Sequence, residues 1–336
     1  GVVKISSGPY IVELLERYGM STCKTVRTPM SPDPETKMSP NDFLAQTDVE
    51  KKQAQQKPIR QLLGSLWWLV HMSRCDIMVA VHELSKYMDR PTMKLWKALQ
   101  RIVRYLKGTI EFGLVFKRPS DLSITPPMKA FVDSDWASCL KTRKSRSGGF
   151  IMYFGMVISY FSEMQSATAQ STCESECYGI IKIAKVISWL RDILEQCDKS
   201  IPEAAITMVD NEASIVLCQD GHFSKRSRHY DIAVCVAKEM AEKGIIDIRF
   251  IRTNEQPADV FTKALNDRIF FMWISDIMGA TNLQNHFSEV FKRIDQIKED
   301  SDTDEMEEVR SQKYESILDV SKKKKLARQR AKRNHK

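Results

Sequence analysis

Apolar residues recur along this chain with two periods, and the change from one to the other divides it. Up to about residue 107 the spacing is helical. Pro9-Tyr10-Ile11-Val12-Glu13-Leu14-Leu15 predicts a first helix that stops near Gly19, and further helices are expected around 59–72, 76–88 and 92–107. In the last of these, Leu95, Leu99, Ile102, Val103 and Leu106 fall at three- and four-residue steps, leaving Lys94, Lys97, Arg101 and Arg104 on the opposite face. The Pro-rich, polar stretch 29–57 predicts a loop. Past a proline-containing linker at 120–127 the pattern shortens. Strands are expected at 129–135, 149–154 and 157–161, then a long helix over 172–196, a strand at 205–209, helices at 212–217 and 230–242, a strand at 245–251 and a helix at 257–265. That order predicts an α/β fold, a mixed sheet with flanking helices. After Gly279 one more amphipathic helix is expected on Phe287, Val290, Phe291, Ile294 and Ile297, followed by an acidic run at 299–308 and a basic end expected to be disordered. The organisation read from these changes is a mainly helical segment 1–124, an α/β domain 125–266 and a C-terminal helix with a charged tail, 267–336.

Composition narrows the class. The 336 residues are 43% hydrophobic and 28% charged, and no apolar run reaches the roughly 18 residues that would cross a bilayer. The start, GVVKISSGPY, does not have the layout of a signal peptide. It also lacks an initiator Met, so a fragment or a processed product is expected. Eight cysteines lie scattered without a CxxC pair, which argues against a zinc ribbon or a disulfide scaffold and for a reduced, intracellular protein. A net charge of +8 favours polyanions, nucleic acid first, although much of the excess sits at the extreme C-terminus.

Candidate chemistry lies in four acids at element ends. Asp133 ends an apolar strand, Glu174 lies in the first turn of the long helix, Asp210 ends the strand 206–209, and Asp259 opens the last helix after Pro257. In an open α/β sheet, strand ends and helix starts on one side converge on a crevice. Carboxylates gathered there repel one another, and bound cations relieve the repulsion. Hard oxygen ligands select Mg2+ or Mn2+. Two such ions about 4 Å apart can serve the in-line hydrolysis of a phosphodiester. Each acid alone has an ordinary explanation in a turn or a helix dipole, so the argument rests on their joint placement.

The stretches FVDSDWASCLKTRKSRSGGF, QSATAQSTCESECYGI, MVDNEASI, SKRSRHYDI and IRTNEQPADVFTKAL occur in the order seen in the RNase H domain of copia-type retrotransposon Pol polyproteins. Upstream, YIVELLERYGMSTCKTVRTPM and the segment from LLGSLWWLV to LWKALQRIVRYLKGT resemble the thumb and connection region of the same family's reverse transcriptase. The resemblance spans about 5–30 and 59–279. It implies an RNase H-like mixed five-stranded sheet, preceded by a mainly helical reverse transcriptase segment, and hydrolysis of the RNA strand of an RNA–DNA hybrid with two Mg2+ or Mn2+ ions. By position it implies Asp133 rather than Asp135, Glu174 rather than Glu176, Asp210 and Asp259 as metal-holding catalytic acids. It also favours phosphate contact by the basic loop residues Arg143, Lys144 and Arg146. Polymerase chemistry is not expected, because no adjacent Asp pair occurs; those carboxylates would lie in an upstream Pol domain.

Departures from the family pattern are Glu163-Met164 where two lysines are usual, Cys173 before Glu174, and no His in the loop before Asp259. They motivate a second reading, a catalytically decayed or co-opted nucleic-acid-binding protein that keeps the fold. His229 is expected to start a helix, Trp136 to be core, and the face bearing Arg101, Arg104 and Lys107 either to grip duplex or to be solvated. Expected surroundings are the cytoplasm and a virus-like particle, and the basic tail (Lys322–Lys325, Arg328–Arg333) could serve nuclear import.

Overall fold

A computed structural model describes residues 1–44, 46–118, 126–199, 201–220 and 231–279. Gly1–Leu283 form one compact unit. The expected helix at 287–297, the charged tail, His229 and most of the 120–127 linker lie outside the described residues.

The chain opens with β1 (Val2–Ser6) and α1 (Gly8–Arg17), continues through the short α2 (Asn41–Leu44) and α3 (Asp48–Gln55), then α4 (Ile59–Met72), α5 (Met78–Ser85), α6 (Met93–Gly108) and β2 (Gly113–Lys117). Four of these, β1, α2, α3 and β2, were not legible in the pattern. β1 pairs antiparallel with β2 across more than a hundred residues of chain, a non-local pairing. Within the stretch expected to be loop, α3 starts at a capping box in which the Thr47 hydroxyl accepts from Glu50 N and the Glu50 carboxylate accepts from Thr47 N. The apolar face of α6 is buried as the spacing requires. Its basic face is neither free nor merely solvated. Arg101 donates to Thr28 Oγ1 at 2.9 Å, Arg104 to the Lys24 carbonyl at 2.6 Å and Lys107 to the Cys23 carbonyl at 2.7 Å. These side chains pin the arm that leads out of α1.

The second half supplies the sheet: β3 (Lys129–Asp135), β4 (Arg146–Tyr153), β5 (Met156–Met164), α7 (Thr172–Gln196), β6 (Ala205–Val209), α8 (Glu212–Asp220), α9 (Asp231–Glu242) and β7 (Ile246–Phe250). The strand order is β5-β4-β3-β6-β7. The first three strands pair antiparallel, and β3, β6 and β7 run parallel, so the sheet is mixed. Parallel neighbours force crossovers, here α7 and the α8–α9 pair, which cover the sheet. Ile180, Ile183, Ala184 and Ile187 of α7 pack with Val132, Val209 and Ile248 into one core. The expected helix at 257–265 is instead a 3-10 turn, Pro257–Phe261, followed by α10 (Asp267–Ile277).

The two halves interlock. α10 returns to the first half, where Phe270 meets Tyr105 with ring centroids 5.8 Å apart and Met278 O accepts from Val115 N at 3.2 Å. Tyr160 of β5 donates to the Val70 carbonyl of α4 at 2.7 Å. Contacts therefore run between the two halves, and α10 packs within the same compact unit.

Candidate metal centre

Parallel strands β3 and β6 end side by side, and that places Asp133 near Asp210, the residue that follows β6. The third acid comes from α7. One oxygen each of Asp133, Glu176 and Asp210 lies within 4.8 Å of the others. Glu176 Oε1 accepts from Ser134 N at 3.3 Å, so strand backbone holds the helix carboxylate in place. Its other oxygen, Oε2, is buried and has no hydrogen-bond partner among the described residues. A buried, unpartnered carboxylate oxygen on a residue grouped with two further acids fits a hard divalent cation.

Glu174, the helix acid expected here, points elsewhere. Its Oε2 accepts from Gln170 N at 2.7 Å, its Oε1 from the Tyr178 hydroxyl at 3.4 Å, and its own N–H donates to the Ser171 cap at 3.1 Å. Side chains two apart on a helix diverge by roughly 200°, so only one of the pair can face the strand ends. Glu176 continues the line Ile180, Ile183, Ile187 that packs on the sheet. That stripe was visible in the sequence and would have selected it.

Asp259 arrives on the 3-10 turn. Gln256, fully buried, donates from Nε2 to the Val132 carbonyl at 3.0 Å and accepts from Ala258 N, tying the turn to β3 beside Asp133. Close approach needs Gly148, paired with Asp133 in register: a Cβ there would lie 2.4 Å from the Phe261 carbonyl oxygen. Gly179 plays the same part for α7, since a Cβ would lie 2.8 Å from Ser134 Oγ. Thr262 donates a short hydrogen bond to Asp133 Oδ2. Lys263 places its Nζ 2.9 Å from Asp259 Oδ1 and 3.9 Å from Asp133 Oδ2. Gln256, Thr262 and Lys263 were not singled out from the sequence, where they read as ordinary polar turn residues.

Crowding of like charge shows in the protonation of the group. Burial, then the Asp133 and Asp210 charges, raise the Glu176 carboxyl well above its ordinary range. Burial and Asp133 also raise Asp210, with a Thr253 hydrogen bond opposing. Asp259 is pushed up to about 7, by burial first and Asp133 second, against the pull of Lys263. Burial works against the Lys263 ammonium, yet Asp133 and Asp259 hold it up at about 12.

The basic loop divides. Arg143 is exposed, in a left-handed turn conformation with φ 56°, and Lys144 donates to the Ser166 carbonyl at 2.6 Å. Arg146 does not face solvent: it is fully buried, donates to Ser162 Oγ at 2.9 Å and forms a short ion pair with Glu83 of α5. β4 begins at Arg146, earlier than expected, and its pleat turns this side chain inward, so the expected phosphate contact does not apply to it. Trp136, expected as core, is 44% exposed and donates from its ring nitrogen to the Ala169 carbonyl at 3.0 Å. Glu163 is matched by Lys182 at 2.9 Å, so its charge is partly offset. A cavity of about 420 Å3 runs from Lys263 and Asp135 to the residues Lys94, Lys97, Arg101 and Arg104 of α6.

No family model matches the chain. It is 31% identical over 280 residues, 83% of its length, to the retrovirus-related Pol polyprotein from transposon RE1 of Arabidopsis thaliana. It is 31% identical over 262 residues, 78% of its length, to that from transposon TNT 1-94 of Nicotiana tabacum. It spans only 18% and 19% of those relatives. Among solved structures, LC11-RNase H1 isolated from compost by a metagenomic approach superposes on 40% of this chain and 92% of its own, with 13% identity and a TM-score of 0.33. Among the described residues no helix is long and apolar enough to cross a membrane. The mixed sheet with the order β5-β4-β3-β6-β7 and flanking helices is the RNase H-like fold, and the chain belongs with the retrovirus-related Pol polyproteins of copia-type transposons.

Proposed function

We propose that this chain is a metal-dependent ribonuclease H that hydrolyses the RNA strand of RNA–DNA hybrids during reverse transcription, following a reverse transcriptase thumb and connection segment formed by its first half. The observation that carries the reading is the convergence of Asp133, Glu176 and Asp210 on one point, with the buried Glu176 Oε2 left without a protein partner. Asp133, Glu176 and Asp210 would hold one Mg2+ or Mn2+, and Asp259 would help to hold a second. Bound there, the ions supply activation of water and charge stabilisation at the leaving oxygen of an in-line displacement. The protein's own groups do the rest. Ser134 N orients Glu176, Thr262 orients Asp133, and Gln256 fixes the turn that brings Asp259. Glu174 supports the start of α7 rather than the ligand set.

The substrate is addressed by charge. Arg143 is exposed on the loop between β3 and β4, and the α6 cations line a cavity that reaches Asp135, Thr262 and Lys263, a track suited to a phosphate backbone. The upstream Pol polymerase domain is the partner this reading expects, and the cytoplasmic virus-like particle its expected surroundings.

The deciding experiment incubates the full chain with labelled RNA–DNA hybrid and Mg2+, beside Asp133→Asn. Metal-dependent cutting of the RNA strand by the parent alone supports the reading. Absence of cutting in both, with salt-sensitive hybrid binding retained, would establish the non-catalytic binding protein instead.

A further inference from the structure

The cavity of about 420 Å3 between the two halves is built unlike a plain charged surface. Along α6 it is lined by Lys97, Arg101 and Arg104. The rest of its lining is largely apolar: Val79 and Leu84 of α5, Met30 and Met38 of the arm, and Leu140 of the β3–β4 loop. Tyr87 adds an aromatic ring, fixed by its hydroxyl, which donates to the Met38 carbonyl at 3.0 Å. The cations are not all spent. Lys94 is answered by Asp42 at 3.0 Å, and Arg104 donates to the Lys24 carbonyl. Lys97 is exposed, and Arg101 keeps a buried Nε without a hydrogen-bond partner among the described residues. Burial, and then the Arg104 charge, lower the Arg101 pKa. Its guanidinium is therefore under-satisfied as it stands, with donors to turn toward an incoming anion. Of the acids in the lining, Glu83 is matched by Arg146 and Lys86, Asp135 lies near Lys263, and Glu35 is exposed.

A water-filled cleft between packed halves is the bland account, and it leaves both the apolar lining and the under-satisfied Arg101 unexplained. A duplex does not enter a space of this size, and an inorganic phosphate leaves the apolar part bare. One unstacked nucleotide answers both needs. Its phosphate meets Lys97 and Arg101, and its base meets Tyr87 and the apolar residues, a stacking contact that any base can make. We infer that the cavity holds a single unpaired nucleotide of the RNA strand, where that strand leaves the hybrid beside the metal centre. The inference rests on the ribonuclease reading above and deepens it. The cavity reaches Thr262 and Lys263, which touch Asp133 and Asp259, so a strand end leaving the centre lies within reach of it.

The test titrates the full chain with adenosine 5′-monophosphate in EDTA by calorimetry, beside adenosine and inorganic phosphate. One monophosphate per chain is expected, bound at least about tenfold more tightly than either fragment. Ala98→Leu, which narrows the cavity at unchanged charge, and Lys97→Gln, at an exposed position, are each expected to weaken it at least about fivefold. Circular dichroism verifies folding, and if Ala98→Leu does not fold, Lys97→Gln carries the measurement. By fluorescence anisotropy, also in EDTA, an RNA–DNA hybrid with a short RNA extension is expected to bind at least about fivefold more tightly than a blunt one. Excess monophosphate is expected to erase that difference. A monophosphate bound no more tightly than phosphate, or unaffected in the folded variants, would overturn the pocket. Monophosphate binding that the extended hybrid does not displace would overturn its assignment to a strand end. Metal-dependent cleavage is read separately, so either result leaves the ribonuclease reading standing; no binding of hybrid in any form would overturn both.

Discussion

At the scale of single residues, the site turns on which of two glutamates the helix aims at the strand ends. Glu176→Gln is expected to lower metal-dependent cleavage by at least about 100-fold, because it removes a charged ligand. Glu174→Gln is expected to change cleavage less than tenfold and to cost about 1 kcal/mol in helix stability. Side-by-side rate and unfolding measurements decide this, and the reverse ranking would restore Glu174 to the ligand set. Asp133 and Asp210 were legible in the sequence because a strand end is a position that hydropathy marks. The choice within the α7 pair needed the rotation of the helix, which local motif matching passes over. A second titrating residue lies away from the site. Asp276 of α10 is buried with no hydrogen-bond partner for either oxygen among the described residues, and burial pushes it up to about 7 from an ordinary 3.8. Between those values the folded chain keeps a proton that the unfolded chain releases, so stability falls as pH rises from about 4 to 7. Asp276→Asn should flatten that slope and raise the melting temperature at pH 8. An unchanged pH profile of unfolding would show that the carboxyl finds water or a partner.

At the scale of elements, glycine spacing decides how near the pieces come. Gly148 lets the Pro257–Phe261 turn rest against β4 and present Asp259 and Lys263 to Asp133. Gly148→Ala places a methyl carbon against backbone rather than a yielding side chain, so a loss of roughly 2–3 kcal/mol is expected. Cleavage should fall further than folding alone explains, since the turn carries the acid with it. Thermal unfolding and turnover of the same preparation test this; intact turnover would mean that the turn shifts without consequence. The sheet was legible because alternation and strand-end acids agree. The turn at 257–261 was expected as a helix because Pro followed by Ala, Asp and Val suits the first turn of either. What makes it a tight turn is Gln256 reaching across to Val132, a contact 124 residues distant in sequence. β1–β2 was missed for the same reason: hydropathy reports local periods, whereas pairing partners are chosen by the whole fold.

At the scale of the molecule, the helical first half and the α/β second half behave as one compact unit. Glu83→Leu leaves Arg146 charged and buried, with Ser162 Oγ its remaining side-chain hydrogen-bond partner among the described residues, and a cost of about 3 kcal/mol is expected, read as a lower denaturation midpoint with an unchanged slope. Two separate unfolding transitions in the parent would instead show halves that fold on their own. The cavity is likewise lined from both halves, by the α6 cations on one side and by Asp135, Thr262 and Lys263 on the other. A charge seated inside the sheet and answered from α5 has a further bearing, on descent. Neither Arg146 nor Glu83 can drift by itself without stranding the other, so lineages that exchange the pair should do so together, and recombination that splices a foreign second half onto this helical segment should inherit a mismatch at that contact before any loss at the metal ligands.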